Sequence, residues 1–207
     1  MLQCGKLLVL FATVAAIGGS AGAVTIKQLQ PDESWADAHW TVTAFSDRIE
    51  VDLTKDFKVP NMVDSPLVLE FTLDGNDLNK DIHLVHGAGG EEVTNNTGLA
   101  WYDYHFVLVN SAAGMPSFLP QDPEARFTNL GNITSDRFSN VAADANQIHF
   151  TGGTVPDGNQ VHFSQIRITH NGVNNGVFYL KEIPTPEPAA LTLLAAGASV
   201  LLKRRRT

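Results

Sequence analysis

The chain has 207 residues, room for one ordinary domain with short processing segments and too few for two large domains. Charged residues make up 17%, below the quarter or so usual for soluble domains, and the formal net charge of −8 argues against a nucleic-acid partner. Its one cysteine, Cys4, lies in a segment expected to be removed, which would leave the remainder without disulfides, thiolate metal ligands or a Cys nucleophile.

Residues 1–23 read as a secretory signal. Lys6 supplies the positive start, residues 7–17 form an uncharged apolar run, and Ala21-Gly22-Ala23 is a small-x-small site, so cleavage is expected after Ala23 with Ala21 and Ala23 as its recognition pair. The apolar run is shorter than the ~20 residues of a comfortable membrane span. Cys4 precedes this run instead of following it, which argues against a lipoprotein.

The body, residues 24–183, is strongly acidic, with nine basic against twenty-one acidic residues and a net of −12. Residues 40–45 and 48–53 are expected strands around a Ser46-Asp47 turn. In the second, Ile49, Val51 and Leu53 alternate with Arg48, Glu50 and Asp52, the pattern of a half-buried strand. Residues 66–73 put Leu67, Leu69, Phe71 and Leu73 on one face, and residues 82–86 are a shorter strand. Residues 101–110 form the strongest aromatic strand, with Tyr102, Tyr104, Phe106 and Leu108 expected on one side. Residues 111–147 read as a long irregular stretch, with one helical turn at 142–145. In residues 160–169, Val161 and Phe163 give way to Ile166 and Ile168, and the phase slip at Ser164-Gln165 suggests a bulge. Residues 176–183 are the closing strand, after a turn-rich segment at 171–175. No stretch keeps a helical period. Seven or eight short strands with turns between them predict an all-β chain, an antiparallel β-sandwich with Ig-like or jelly-roll closure.

Candidate chemistry in the body is sparse. Asp77, Asn79 and Asp81 have the D-x-N-x-D spacing of a calcium loop. Ile82 stands where that loop needs Gly, and Ala88 where it needs Glu, so an ordinary acidic loop is preferred and Ca2+ is the weaker alternative. His83 and His86 are three apart and would face opposite sides of a strand. His105, His149, His162 and His170 stand isolated among strand residues. Glu91 and Glu92, adjacent in an extended chain, diverge and read as a solvated pair, not as the facing carboxylates of a glycosidase. Trp35, Trp40 and Trp101 read as packing residues before they read as a sugar-stacking platform. Asn95 and Asn132 begin N-x-T triplets.

At the other end, Pro184, Thr185, Pro186, Glu187 and Pro188 are expected to stop the last strand. Fourteen uncharged residues follow at 189–202, then Lys203, Arg204, Arg205 and Arg206. The positive-inside rule keeps that basic cluster cytoplasmic and the body outside. This order of Pro186-Glu187-Pro188, apolar run and basic stop resembles the PEP-CTERM sorting signal, and the amino-terminal signal fits the same family. The segment at 93–105, Asn95-Asn96-Thr97-Gly98 leading into Trp101-Tyr102-Asp103-Tyr104-His105, also resembles one found in a subset of such proteins. The resemblance implies a Gram-negative bacterium that makes extracellular polysaccharide. It further implies an inner-membrane-anchored precursor processed near Pro186-Glu187-Pro188 by exosortase, a membrane protease-transpeptidase. The expected role is that of a non-catalytic protein of the cell surface or extracellular matrix, structural or interacting, associated with exopolysaccharide. A carbohydrate-binding module is the alternative, and a secreted polysaccharide hydrolase the third reading. No cofactor beyond the weak Ca2+ candidate is expected, and no nucleic acid.

Overall fold

The computed structural model describes residues 24–31, 33–60, 66–75, 77–87, 90–109, 125–170 and 176–186. The expected signal segment with Ala21 and Ala23, Glu187 and Pro188, the apolar run and the basic cluster at 203–206 lie outside them. No helix among the described residues is long and apolar enough to cross a membrane.

In chain order the strands are β1 (Thr25–Gln30), β2 (Ala36–Ala44), β3 (Arg48–Phe57), β4 (Leu67–Thr72), β5 (Asp81–Val85), β6 (Glu91–Asn95) and β7 (Trp101–Val109). They continue with β8 (Ala125–Thr128), β9 (Thr134–Ser135), β10 (Phe138–Ala143), β11 (Gln147–Gly153), β12 (Asn159–Ser164), β13 (Arg167–His170) and β14 (Val177–Pro186). One short 3-10 turn, Leu130–Asn132, lies among them. The described residues are nearly all β, as the alternating pattern predicts.

A six-stranded antiparallel sheet runs β1-β4-β14-β7-β11-β10. The second sheet, of eight strands, is built around β3. The Phe45 N–H donates to the Arg48 carbonyl at 2.8 Å, closing the expected turn, and β2 then pairs with β3 without interruption from Ala44↔Ile49 to Ala36↔Phe57. β2 occupies one edge of β3, so β5 and β6 must share the other. They do so in parallel, β5 against residues 48–52 and β6 against residues 54–57. This is a departure from a wholly antiparallel arrangement. β12 and β13 in turn pair antiparallel with β6 and β5. The phase slip expected at Ser164-Gln165 is therefore a break between two strands, with Gln165 at φ 64. Across from it, Gly90 has φ 98, and a Cβ there would stand 2.3 Å from the Phe163 carbonyl oxygen, so the crossing admits only glycine.

Three local expectations are corrected. The stretch 111–147 is not irregular throughout: β8, β9, β10 and the start of β11 lie in it. β10 is an edge strand whose middle residues Ser139, Asn140, Val141 and Ala142 are exposed, so it carries no apolar alternation to read. No helical turn forms at 142–145. Instead the Asp144 carboxylate accepts from the Asn146 and Gln147 N–H groups at 2.7 and 2.9 Å and shapes a β10–β11 hairpin. On β7, Tyr104, Phe106 and Leu108 share the core face as expected, but Tyr102 is 41% exposed and Trp101 is fully buried in its place. The β7–β14 register shifts between Thr185 and Pro186, and Tyr102 is the residue left over.

The prolines do not stop the last strand either: β14 continues through Pro184 to Pro186, opposite Tyr104 and Trp101. Its pairing with β4 ends at Glu182↔Leu67. Beyond that point no described residue pairs with that edge of β14, and a missing N–H is tolerated there.

The two sheets share an aromatic core. Phe57 of β3 meets Trp101 edge-on at 5.4 Å, and Phe163 of β12 sits against Tyr104, Phe106 and Phe150 at 4.7, 5.0 and 4.6 Å. Each ring so buried contributes roughly 1.5–3 kcal/mol relative to an exposed one.

Candidate functional site

Polar side chains gather in three places. The first is inside the core. Lys55 of β3 donates to both Glu91 of β6 and Glu182 of β14, and the Tyr104 hydroxyl donates to the other oxygen of Glu182 at 2.7 Å. Lys55, Glu91 and Glu182 side chains are fully buried. Glu91 is therefore not half of a solvated pair. Strand alternation sends it inward while Glu92 faces solvent, so the divergence is as expected but one partner ends in the core. Burial pushes the Glu91 carboxyl well above its ordinary value, and the charge of Glu182 adds to this. Burial and the same two carboxylates raise the Tyr104 hydroxyl. Two carboxylates face one another here with an ammonium between them and no solvent access. That arrangement ties the two sheets together and leaves no room for a sugar.

The second cluster lies on the solvent side of the β3–β6–β12 region. His86 Nδ1 is 2.7 Å from Asp52 Oδ1, His162 Nε2 is 3.2 Å from Glu92 Oε2, and His162 Nδ1 is 3.0 Å from Asp136 Oδ2. The hydrogen bond to Asp136 is the main cause that raises His162 above 6.5, against the opposing effect of partial burial. A raised value means that the folded protein keeps this proton to higher pH than the unfolded chain. The stabilisation from the pair is complete below about 6.5 and fades as pH rises through the raised value. His162 observed by NMR should titrate above 6.5, and Asp136→Asn should bring it down. A native value at or below 6.5 would contradict the arrangement.

The third cluster is on the face of the six-stranded sheet turned away from the core. His105 of β7 and His149 of β11 are directly opposite one another, with rings stacked at 3.9 Å and 15°. Asp103, two residues before His105, lies on the same face. Its Oδ1 is 3.6 Å from His105 Nε2, and its Oδ2 is 3.7 Å from His149 Nε2. Burial would raise the Asp103 carboxyl, but the side chains of His105 and Thr185 and the nearby imidazoles outweigh it and hold it below its ordinary value. Burial, then the charge of His105, lowers His149. Among the described acidic and histidine residues, these three bring their ligand atoms within 4.8 Å of one another, so they could hold a metal ion. The sequence reading left both histidines isolated. They are 44 residues apart, and only the β7–β11 register joins them.

The other predicted residues fall elsewhere. The Asp77 carboxylate is buried and ion-pairs with Lys80 at 2.8 Å, while Asn79 is exposed and Asp81 begins β5. Neither Asp77 nor Asp81 belongs to the metal-competent group. Trp101 is in the core and Trp35 is 45% exposed, so the tryptophans share no platform. Asn95 is buried and satisfied: its amide donates to the Leu99 and Val155 carbonyls, both at 2.8 Å, and accepts from the N–H and hydroxyl of Thr97. With Gly98 at φ 80, this knot turns the chain into β7, and it hides the first N-x-T asparagine. Asn132 is exposed. Pro186 ends β14. A cleft of about 200 Å³ opens beside the break between β12 and β13, lined by His83, Gly87, Gly90, Ser164, Gln165 and Arg167 among others. Comparison with protein-family models, curated proteins and solved structures finds no match to this chain.

Proposed function

We propose that this chain is an exported surface or matrix protein of a bacterium, non-catalytic, anchored as a precursor in the inner membrane and processed by exosortase at Pro186-Glu187-Pro188. After processing it would sit among extracellular polysaccharide in a structural or interacting role, its two sheets closed as an Ig-like or jelly-roll sandwich. The observation that carries the reading is the course of β14, which runs to Pro186. The triplet thus begins on the last residue of β14, and in the sequence the basic-ended apolar run follows directly. Two further features support it. The fold draws its cohesion from an aromatic core and a buried ion cluster, which suits an exported body without cysteine. The carboxylates that face each other are enclosed and bound to Lys55, which favours a binding or structural role over hydrolysis.

The test is replacement of Pro186, Glu187 and Pro188 by alanine in the full chain. An uncleaved form retained in the inner membrane is expected. Processing at the normal rate, or recovery of the protein in the cytoplasm, would overturn the proposal. Retention of the secreted native protein on its own extracellular polysaccharide, measured by co-sedimentation, tests the partner separately.

A further inference from the structure

Nothing in the proposed surface role employs Asp103, His105 and His149, yet their arrangement is demanding. Among the described residues, His149 Nε2 and Asp103 Oδ1 are buried atoms without a hydrogen-bond partner. Native proteins seldom leave such atoms unsatisfied unless an ion or water completes them. The histidine–carboxylate separations of 3.6 and 3.7 Å are too long for hydrogen bonds. They are close to what a bridging ion requires: ligands held about 2.0–2.2 Å from a tetrahedral centre stand about 3.4 Å apart. Small side-chain rotations would close the difference.

The backbone already fixes most of the geometry. His105 and His149 are register partners on neighbouring strands of a sheet interior to both edges, and Asp103 follows from the period of β7. Thr185 stands opposite Asp103 on β14, and its hydroxyl is a third buried polar atom without a hydrogen-bond partner at this spot. Ile183, opposite His105, and Val107 are buried on the same face, together with Lys181 opposite Val107, so the site is shielded from bulk water with one ammonium one step along the sheet. Two imidazoles with one carboxylate is a donor set for borderline ions. Ca2+ and Mg2+ prefer oxygen alone. Three protein ligands leave one tetrahedral position for water or for a donor from a partner.

We propose that Asp103, His105 and His149 form a binding site for one borderline divalent cation, zinc foremost. The site is independent of the sorting proposal and would persist if that failed.

The full chain, purified in detergent without a histidine tag and stripped by chelator, should bind one Zn2+ per chain with a micromolar or tighter Kd in calorimetry. Co2+ should give the strong visible bands of a four-coordinate site. His149→Gln and Asp103→Asn should each weaken Zn2+ binding by about 100-fold and abolish the Co2+ bands. Both keep side-chain size, and unfolding midpoints measured without metal show whether they fold. His162→Gln, in the cluster on the other sheet, should change neither readout. Absence of saturable binding overturns the proposal. So does binding undiminished in the folded His149→Gln and Asp103→Asn variants, or binding lost in His162→Gln.

Discussion

Lys55→Met should lower the unfolding free energy by about 3–5 kcal/mol, the usual cost of removing one partner from a buried ion cluster. Domains of this size have total stabilities of roughly 5–15 kcal/mol, so the loss is a large fraction of the whole. The cause is specific. Lys55 donates to Glu91 and Glu182 with all three side chains fully buried, and methionine would leave two carboxylates in an apolar interior with only the Tyr104 hydroxyl for company. The variant should escape part of the cost by taking up protons. Its deficit against the native protein should therefore shrink as pH falls from 8 towards 5, because a protonated carboxyl buries no charge. Glu91 already leans that way in the native protein, since burial and Glu182 raise it well above 4.5. Between 4.5 and its raised value the folded state holds a proton that the unfolded chain gives up, so the Glu91 contribution to stability is complete below 4.5 and lost as pH rises through the raised value. Adding Glu91→Gln and Glu182→Gln to Lys55→Met should recover much of the stability and flatten the pH dependence. Urea unfolding at several pH values measures all of this, and a single-variant loss below about 1 kcal/mol would refute the account.

The second large effect is expected of Phe163→Ala, at about 3–5 kcal/mol. Phe163 is fully buried on β12 and lies within 4.6–5.0 Å, ring to ring, of Tyr104, Phe106 and Phe150. Three of its neighbours come from the opposite sheet, so the space it vacates is walled by rigid strands on both sides and cannot collapse. Phe45→Ala makes the contrast. Phe45 is 37% exposed at a hairpin turn, and its loss should fall within about 0.5 kcal/mol of zero. Thermal unfolding of the two variants side by side measures the difference. Equal midpoints would mean that the sheets are not joined through this ring.

Where the chain alternates cleanly, the sequence was sufficient. Ile49, Val51 and Leu53 are all fully buried, as the period of two requires, and so are Leu67, Leu69 and Phe71. The failures share one physical origin. β10 escaped notice because an edge strand needs no apolar face, only a neighbour to donate to. Tyr102 was put on the wrong side because a bulge one residue long inverts the phase, and the residue that marks it, Pro186, lies on another strand. The Lys55–Glu91–Glu182 cluster was hidden because charged residues within a strand look solvated until both sheets are in place. Asp103 and His105, two apart on β7, could have been placed on one face of that strand, though His105 was read as isolated. His149 could have been placed on the outer face of residues 147–150, where Ile148 and Phe150 point inward. What local pattern cannot supply is the pairing register between strands distant in sequence, and that register decides whether the two imidazoles meet.

β14 lies between β4 and β7, well inside its sheet, and Pro186 is its last residue. A pull applied at Pro186 would thus enter the molecule along the axis of an interior strand. It would load the ladder to β7 from Pro186 back to Tyr179 in shear, many hydrogen bonds sharing the force together. Strands peeled from a sheet edge give way one bond at a time. Under the proposed anchoring, force applied at Pro186 would therefore meet the sheet in its mechanically strong direction.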